Sequence, residues 1–268
     1  MKAKDLVCIS SGDQESFIKG VIDSKLVTKF TNLDWESILN NDRDGSYAEF
    51  CDANDGFLKL DTNNVENLLN LNSERFIPYF DKHNIWKIVF GNTWMNLIKK
   101  DKSFFDLCVK HYGFKNFDSF DWVNLLALDY NYKHLLDEYN VWDKFNGFNW
   151  ADILTNHSDF IKKDDEYKIT EKINSYGKFL WFKLLMENEI FLEYCDKFNA
   201  WKFFFKEYWV DILGKYPNLI NKCDTLKEFT EEEWIKLIKN QPKLSSKYVM
   251  YYKPSFKNVG CTRQKTKR

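Results

Sequence analysis

Six cysteines and four histidines are the residues of this 268-residue chain best suited to nucleophilic or metal chemistry, and their spacing decides how far that goes. Cys8, Cys51, Cys108, Cys195, Cys223 and Cys261 lie far apart with no Cys-x-x-Cys pair, and His83, His111, His134 and His157 do not fall at zinc-finger distances. Cys108-Val-Lys-His111 could form half of a metal site, but no second half accompanies it. Carboxylates cluster at Asp164-Asp165-Glu166 and Glu231-Glu232-Glu233, where acid–base work or cation binding could be sought. The first run reads as a surface insertion. The second opens a helix, where negative charge complements the positive end of the helix dipole. No His-Glu-x-x-His, Gly-x-Ser-x-Gly, dinucleotide-binding, P-loop or kinase-like set occurs. The sequence therefore assigns no catalytic residue, no cofactor and no metal, and favours a binding role over catalysis.

The elements that position these residues follow from composition and period. Hydrophobic residues make up 44% of the chain, ample for a buried core, and 39 Lys and Arg against 40 Asp and Glu exclude the overall basic excess of a nucleic-acid binder. With 10 Gly and 4 Pro there is little material for strand turns or phosphate loops, so the predicted class is all-α. Neither a signal-peptide core after Met1-Lys-Ala-Lys-Asp5 nor an apolar run of membrane-spanning length is present. The expectation is a cytoplasmic chain with reduced thiols and no membrane partner.

A repeat accounts for most of the length. Trp94, Trp122, Trp150, Trp181, Trp209 and Trp234 recur at intervals of 28, 28, 31, 28 and 25, and the same frame reaches back to Val65 and Trp35. Three and four residues after each of these eight anchors stand only Leu or Ile, whereas the position two after the anchor is never apolar. That spacing describes a helix with one buried stripe and one wet face. Asp34, Asn64, Thr93, Asp121 and Asn149, each directly before an anchor, read as N-caps, and Thr230-Glu-Glu-Glu233 as a capping box one turn earlier. A second stripe follows ten, eleven and fourteen residues after the anchor: Phe104, Phe105 and Cys108, Phe191, Leu192 and Cys195, Leu219, Ile220 and Cys223. The cysteine position is filled elsewhere by Tyr79, Leu136 or Tyr248, so these thiols and the tryptophans read as core. Pro217 and Pro242 suit a first helical turn. Aromatic or aliphatic residues five and eight before the anchor, such as Phe114 and Phe117, pin the connection.

Each unit is too small to bury its own apolar faces, so stacking into an α-solenoid of about eight repeats of 25–31 residues is predicted. Residues 1–29 would form an N-terminal helical cap with Phe17, Ile18, Val21 and Ile22 on one face, 30–252 the solenoid, and 253–268 a basic tail. The best copies, Trp209-Val-Asp-Ile-Leu213-Gly-Lys-Tyr-Pro217-Asn-Leu219-Ile-Asn-Lys-Cys223 and Trp234-Ile-Lys-Leu-Ile238-Lys-Asn-Gln-Pro242-Lys-Leu244, resemble short aromatic-rich helical repeats of bacterial proteins of the type Asp-Trp-x-x-Leu-Leu, then Pro-x-Phe or Leu, then x-x-x-Cys. The resemblance implies a helical repeat and carries no activity with it.

Two surfaces offer themselves to a partner. Phe182, Val210 and Ile235 belong to a row directly after the anchors that turns from Glu36 and Glu66 to apolar residues, a candidate protein-binding groove if exposed. Lys253, Lys257, Arg263, Lys265, Lys267 and Arg268, with no acid among residues 253–268, form a candidate electrostatic tail for phosphates or an acidic surface. The expected function is a protein-binding solenoid, in a narrower form an inhibitor or adaptor acting by occlusion, for example a phage or mobile-element anti-defence protein. The alternative is a nucleic-acid-binding repeat protein that uses the tail.

Overall fold

The short apolar period is met by short helices. The computed structural model describes residues 14–251, and among these every regular element is an α-helix or a 3-10 turn. The expected basic tail, Cys8 and Cys261, and the first 13 residues of the expected N-terminal cap lie outside the described residues. The chain divides into two compact units, Met1–Leu135 and Leu136–Arg268.

In the first unit the anchors lie on helices Asn32–Leu39, Thr62–His83, Gly91–Lys100 and Ser119–Leu128, and each of these packs on the next. The Thr62–His83 element leaves helical geometry at Asn72, whose side chain then accepts from the amide of Arg75 at 3.1 Å to open its second half. Helix Gln14–Asp23 covers the second helix of the first repeat, Ser46–Ala53, and buries Phe17 and Val21 while Ile22 stays exposed. In the second unit, helices Gly147–Asn156, Lys178–Glu187, Lys206–Lys215 and Glu231–Asn240 follow one another in the same way. The 31-residue interval between Trp150 and Trp181 does hold an insertion. Helix Ile169–Tyr176 takes the place of the 3-10 link found before most anchors, so Tyr176 is exposed where its counterparts are buried.

All ten tryptophans are buried, and the seven anchor indoles are essentially without exposure. The residue five before the anchor acts as a hydrophobic staple across the helix start. Phe30 meets Trp35 with ring centroids 5.1 Å apart, Phe117 meets Trp122 at 5.2 Å, and Phe229 meets Trp234 at 5.4 Å.

The helix starts correct one expectation. Asp34, Asn64, Asp121 and Asn149 are not N-caps; the helices begin three residues earlier, at Thr31, Asp61, Asp118 and Asn146. Each forms a capping box, as in Thr31, whose amide donates to Asp34 Oδ2 at 2.9 Å while its hydroxyl accepts from the Asp34 amide at 3.3 Å. The Thr230–Glu233 box is present as expected, so the arrangement read for the last unit is the general one. Thr93 belongs to a helix that starts at Phe90 without any side-chain cap.

The second stripe is helical at Ser103–Lys110 and Phe191–Lys197 but is a 3-10 turn at Pro217–Lys222. Pro217 and Pro242 occupy the first turns of their 3-10 elements. In the Thr62–His83 element it is Phe80, not Tyr79, that fills the buried cysteine position. Register shifts by one because this repeat runs its two helices together.

Candidate functional site

The four described cysteines show what buried thiols in this fold do chemically. Cys51, Cys108, Cys195 and Cys223 are buried and unbridged. Burial pushes the Cys195 thiol up to about 12 and the Cys223 thiol up to about 11, and raises Cys51 and Cys108 further still. A thiol so held is protonated at neutral pH and makes a poor nucleophile. The Cys108 to His111 half-site is not assembled: the His111 ring stacks on Trp86 at 4.7 Å, with Nε2 3.0 Å from Asp81 Oδ1. No group of three or more potential metal ligands occurs among the described residues. At least one residue of each carboxylate run has a structural bond. Asp164 accepts from both the amide and the hydroxyl of Thr170 at 2.6 Å, and Glu233 closes the Thr230 box.

Polar side chains instead tie neighbouring repeats together. Two residues after the anchor, Lys183 donates to Asp152 at 2.7 Å and Lys236 to Asp211 at 3.0 Å, one repeat away in each case. On another face, Lys82 and His83 reach Asp52 at 2.7 and 2.6 Å, Lys110 reaches Asp81 at 2.7 Å and Lys222 reaches Asp196 at 2.6 Å. Two of these carboxylates also hold link tryptophans, Trp86 Nε1 donating to Asp81 and Trp201 Nε1 to Asp196, both at 2.6 Å, and Asp137 accepts from Trp142 Nε1 at 2.7 Å in the same way. Burial works to raise the Asp81 carboxyl, but the Lys110 ammonium and the Trp86 N–H outweigh it and hold the group below its usual value. At Asp196 the Lys222 ammonium and the Trp201 N–H lower it together. The recurring Asp-x-x-x-x-Trp spacing at Asp81, Asp137 and Asp196 is the sequence signal for this arrangement.

The proposed apolar row does not form one exposed stripe. Val210 is 6% exposed and Met95 is buried as well, on helices that each pack on the succeeding anchor helix. Phe182 is half-buried, stacked on Tyr208 with centroids 4.5 Å apart. Ile235 alone of the three is open, at 45% exposure. The position after the anchor faces the next repeat, so packing between repeats consumes it.

Apolar side chains do surface two residues before the anchor, a position the sequence reading passed over. Phe148 and Phe179 in the second unit, like Leu33 and Phe120 in the first, are exposed there. That position is the second residue of the helix in each case. In the second unit these rings join others. Phe148 meets exposed Tyr176 edge to face at 5.1 Å, while Tyr208 meets Phe179 at 6.5 Å and exposed Phe205 at 6.0 Å. Phe205, like Phe90, stands at a helix N-cap and makes no side-chain cap bond, where five other anchor helices hold Thr, Asp or Asn. Two aromatic clusters thus sit at successive helix starts.

No helix among the described residues is long and apolar enough to cross a membrane. Compared with known proteins, the chain matches no family model, no curated protein and no solved structure.

Proposed function

We propose that the chain is a non-catalytic α-solenoid of about eight helical repeats that binds a protein partner, as an inhibitor or adaptor acting by occlusion. The observation that carries this reading is the exposed aromatic edge of the second unit: Phe148, Tyr176, Phe179 and Phe205, with Tyr208 joining the last two. Water-facing rings cost solubility and add nothing to the core, whereas aromatic anchors dominate the binding energy of protein interfaces. The packing of successive anchor helices within each unit supports the solenoid, and protonated, buried thiols accord with a role outside catalysis.

The partner's face would be apolar, with acceptors for the Tyr176 and Tyr208 hydroxyls. The test is recovery and identification of a binding protein with the intact chain, followed by its titration against the purified wild type and the Phe179→Ser, Phe205→Ser double variant. A loss of affinity of tenfold or more with an unfolding temperature that does not fall is expected, since two anchor rings commonly contribute about 2 kcal/mol or more and Ser at the Phe205 N-cap can accept from a first-turn amide. Equal affinity would overturn the edge as the binding surface. The nucleic-acid alternative predicts retarded oligonucleotide, steeply salt-dependent and abolished by removing residues 253–268.

A further inference from the structure

Helix starts along the second unit hold carboxylates in line with the exposed rings. The residue two before the anchor is the second residue of its helix at Phe148, Phe179, Glu207 and Glu232, and all four side chains are exposed. Their helices, Gly147–Asn156, Lys178–Glu187, Lys206–Lys215 and Glu231–Asn240, pack in that order, so the positions make one row of two rings followed by two acids.

These two acids make no bond within the fold. Glu231 accepts from the Tyr248 hydroxyl at 3.3 Å, and Glu233 closes the Thr230 box with the Lys206 ammonium 3.6 Å away. Glu207 and Glu232, by contrast, make no hydrogen bond or ion pair among the described residues. Bases close to them in the chain are engaged elsewhere: Lys206 by Glu233, Lys236 by Asp211 at 3.0 Å, and Lys202 by the Phe203 ring, whose centroid lies 5.1 Å from its ammonium. Lys227 is exposed, but so is Glu228 beside it. A first-turn glutamate favours the helix dipole, yet the same row in the first unit, Leu33, Asn63, Asn92 and Phe120, carries no charge. The helix start therefore does not demand acids here. Free carboxylates in line with exposed rings are complementary to cations carried on an apolar segment.

We propose that the aromatic edge receives a basic amphipathic segment of its protein partner, with apolar side chains against Phe148, Tyr176 and Phe179 and lysine or arginine against Glu207 and Glu232. Packed helices stand about 8–10 Å apart, which is the rise of about three residues of extended chain. A segment of about ten residues laid along the row thus offers every third side chain to a successive helix start, two apolar and then two basic. The rings supply affinity, while the carboxylates select the charge of the partner and repel an acidic one. The proposal rests on the aromatic edge as the binding surface and adds the chemistry of what that edge binds.

A phage-displayed library of random peptides of that length, selected on the full chain, tests it. Enriched peptides should combine apolar residues with Lys or Arg. Their affinity should fall by about tenfold or more for the Glu207→Gln, Glu232→Gln chain, whose helix content stays that of the wild type. Peptides resynthesised with Glu in place of their bases should bind the Glu207→Lys, Glu232→Lys chain and not the wild type, a charge swap that a role confined to the helix dipole would not produce. Enriched peptides that are neutral or acidic, or that bind the Gln variant as tightly as the wild type, would overturn the proposal. If those peptides still weaken on the Phe179→Ser, Phe205→Ser chain, the edge stands and only the basic segment falls; if they do not, the edge fails with it. A library that yields no binder would overturn the segment, while the edge keeps its separate titration against an identified protein.

Discussion

Gly113 lies so close to Trp94 that a β-carbon on it would stand 2.6 Å from the indole Nε1 and 2.7 Å from Cys108 Sγ. The indole, a small thiol and a residue without a side chain share one space. Where the anchor is Val65 the counterparts are Phe80 and Ile85, so lost anchor volume is returned by its two neighbours. Gly113→Ala should destabilise the chain by about 1–3 kcal/mol in urea unfolding, and Gly56→Ala by a similar amount. Gly113→Ile should be worse alone, but combined with Trp94→Val and Cys108→Phe it should recover much of the loss. Additive losses in the triple variant would refute shared packing.

Capping boxes make the helix starts separately adjustable. Asp118→Ala and Thr230→Ala each remove an acceptor for a first-turn amide and should cost about 1 kcal/mol. Phe90→Asp should do the reverse: the native residue at this N-cap makes no side-chain bond and its ring is exposed. A gain of about 0.5–1 kcal/mol is expected from the new cap. Denaturant midpoints at constant slope measure all three, and a destabilised Phe90→Asp chain would contradict the cap assignment.

Tyr112 holds a left-handed backbone, φ 56°, ten residues before Trp122, where Asn84 and Asn199 stand in equivalent repeats. Asn tolerates that region better than Tyr because its short side chain can bond locally. Tyr112→Asn and Tyr112→Gly should each raise stability, by up to about 1 kcal/mol, in thermal unfolding. A fall in midpoint with both would show that the exposed ring contributes more than the strain removes.

Ionisation should shape stability on both sides of neutrality. The thiols of Cys51, Cys108, Cys195 and Cys223 are raised by burial, so their contribution is full below the unfolded value of 9.0 and is lost as pH rises beyond it, when only the unfolded chain ionises. Asp52 is lowered by Lys82 and His83, and Asp196 by Lys222 and Trp201; their contribution is present above the unfolded value of 3.8 and disappears as pH falls through the lower folded values. Unfolding free energy against pH should therefore decline above about 8.5 and below about 5, with a further loss already as pH falls below 6.5, because burial lowers His111 in the folded chain. Replacing the four buried cysteines by Ala should remove the part of the alkaline limb that begins near 9.0, leaving the later loss above 10.0 to which Tyr79, Tyr132 and Tyr194, likewise raised by burial, contribute.

The same burial bears on reactivity. In a Cys8→Ser, Cys261→Ser background, the remaining four thiols should resist an aromatic disulfide reagent at neutral pH and all react after unfolding. Rapid labelling of Cys108 in the folded chain would show that its repeat opens locally.

What the sequence alone determined is what a helical period can encode. Anchor spacing, the invariant Leu or Ile pair after it, the buried cysteine position, the staple residue and the prolines of the last two repeats all recur in one dimension, because every repeat solves the same packing problem. An Asp or Asn directly before a tryptophan, by contrast, suits either an N-cap or the third residue of a capping box. Only the backbone at Thr31, Asp61, Asp118 and Asn146 separates the two. Pairs such as Lys183 with Asp152, 31 residues apart, depend on how one repeat settles on another. The surface was decided in the same way. Val210 and Phe179 are both apolar and both near an anchor, yet one is buried and the other faces water, since a residue's exposure is set by the neighbours its helix receives and not by its own type.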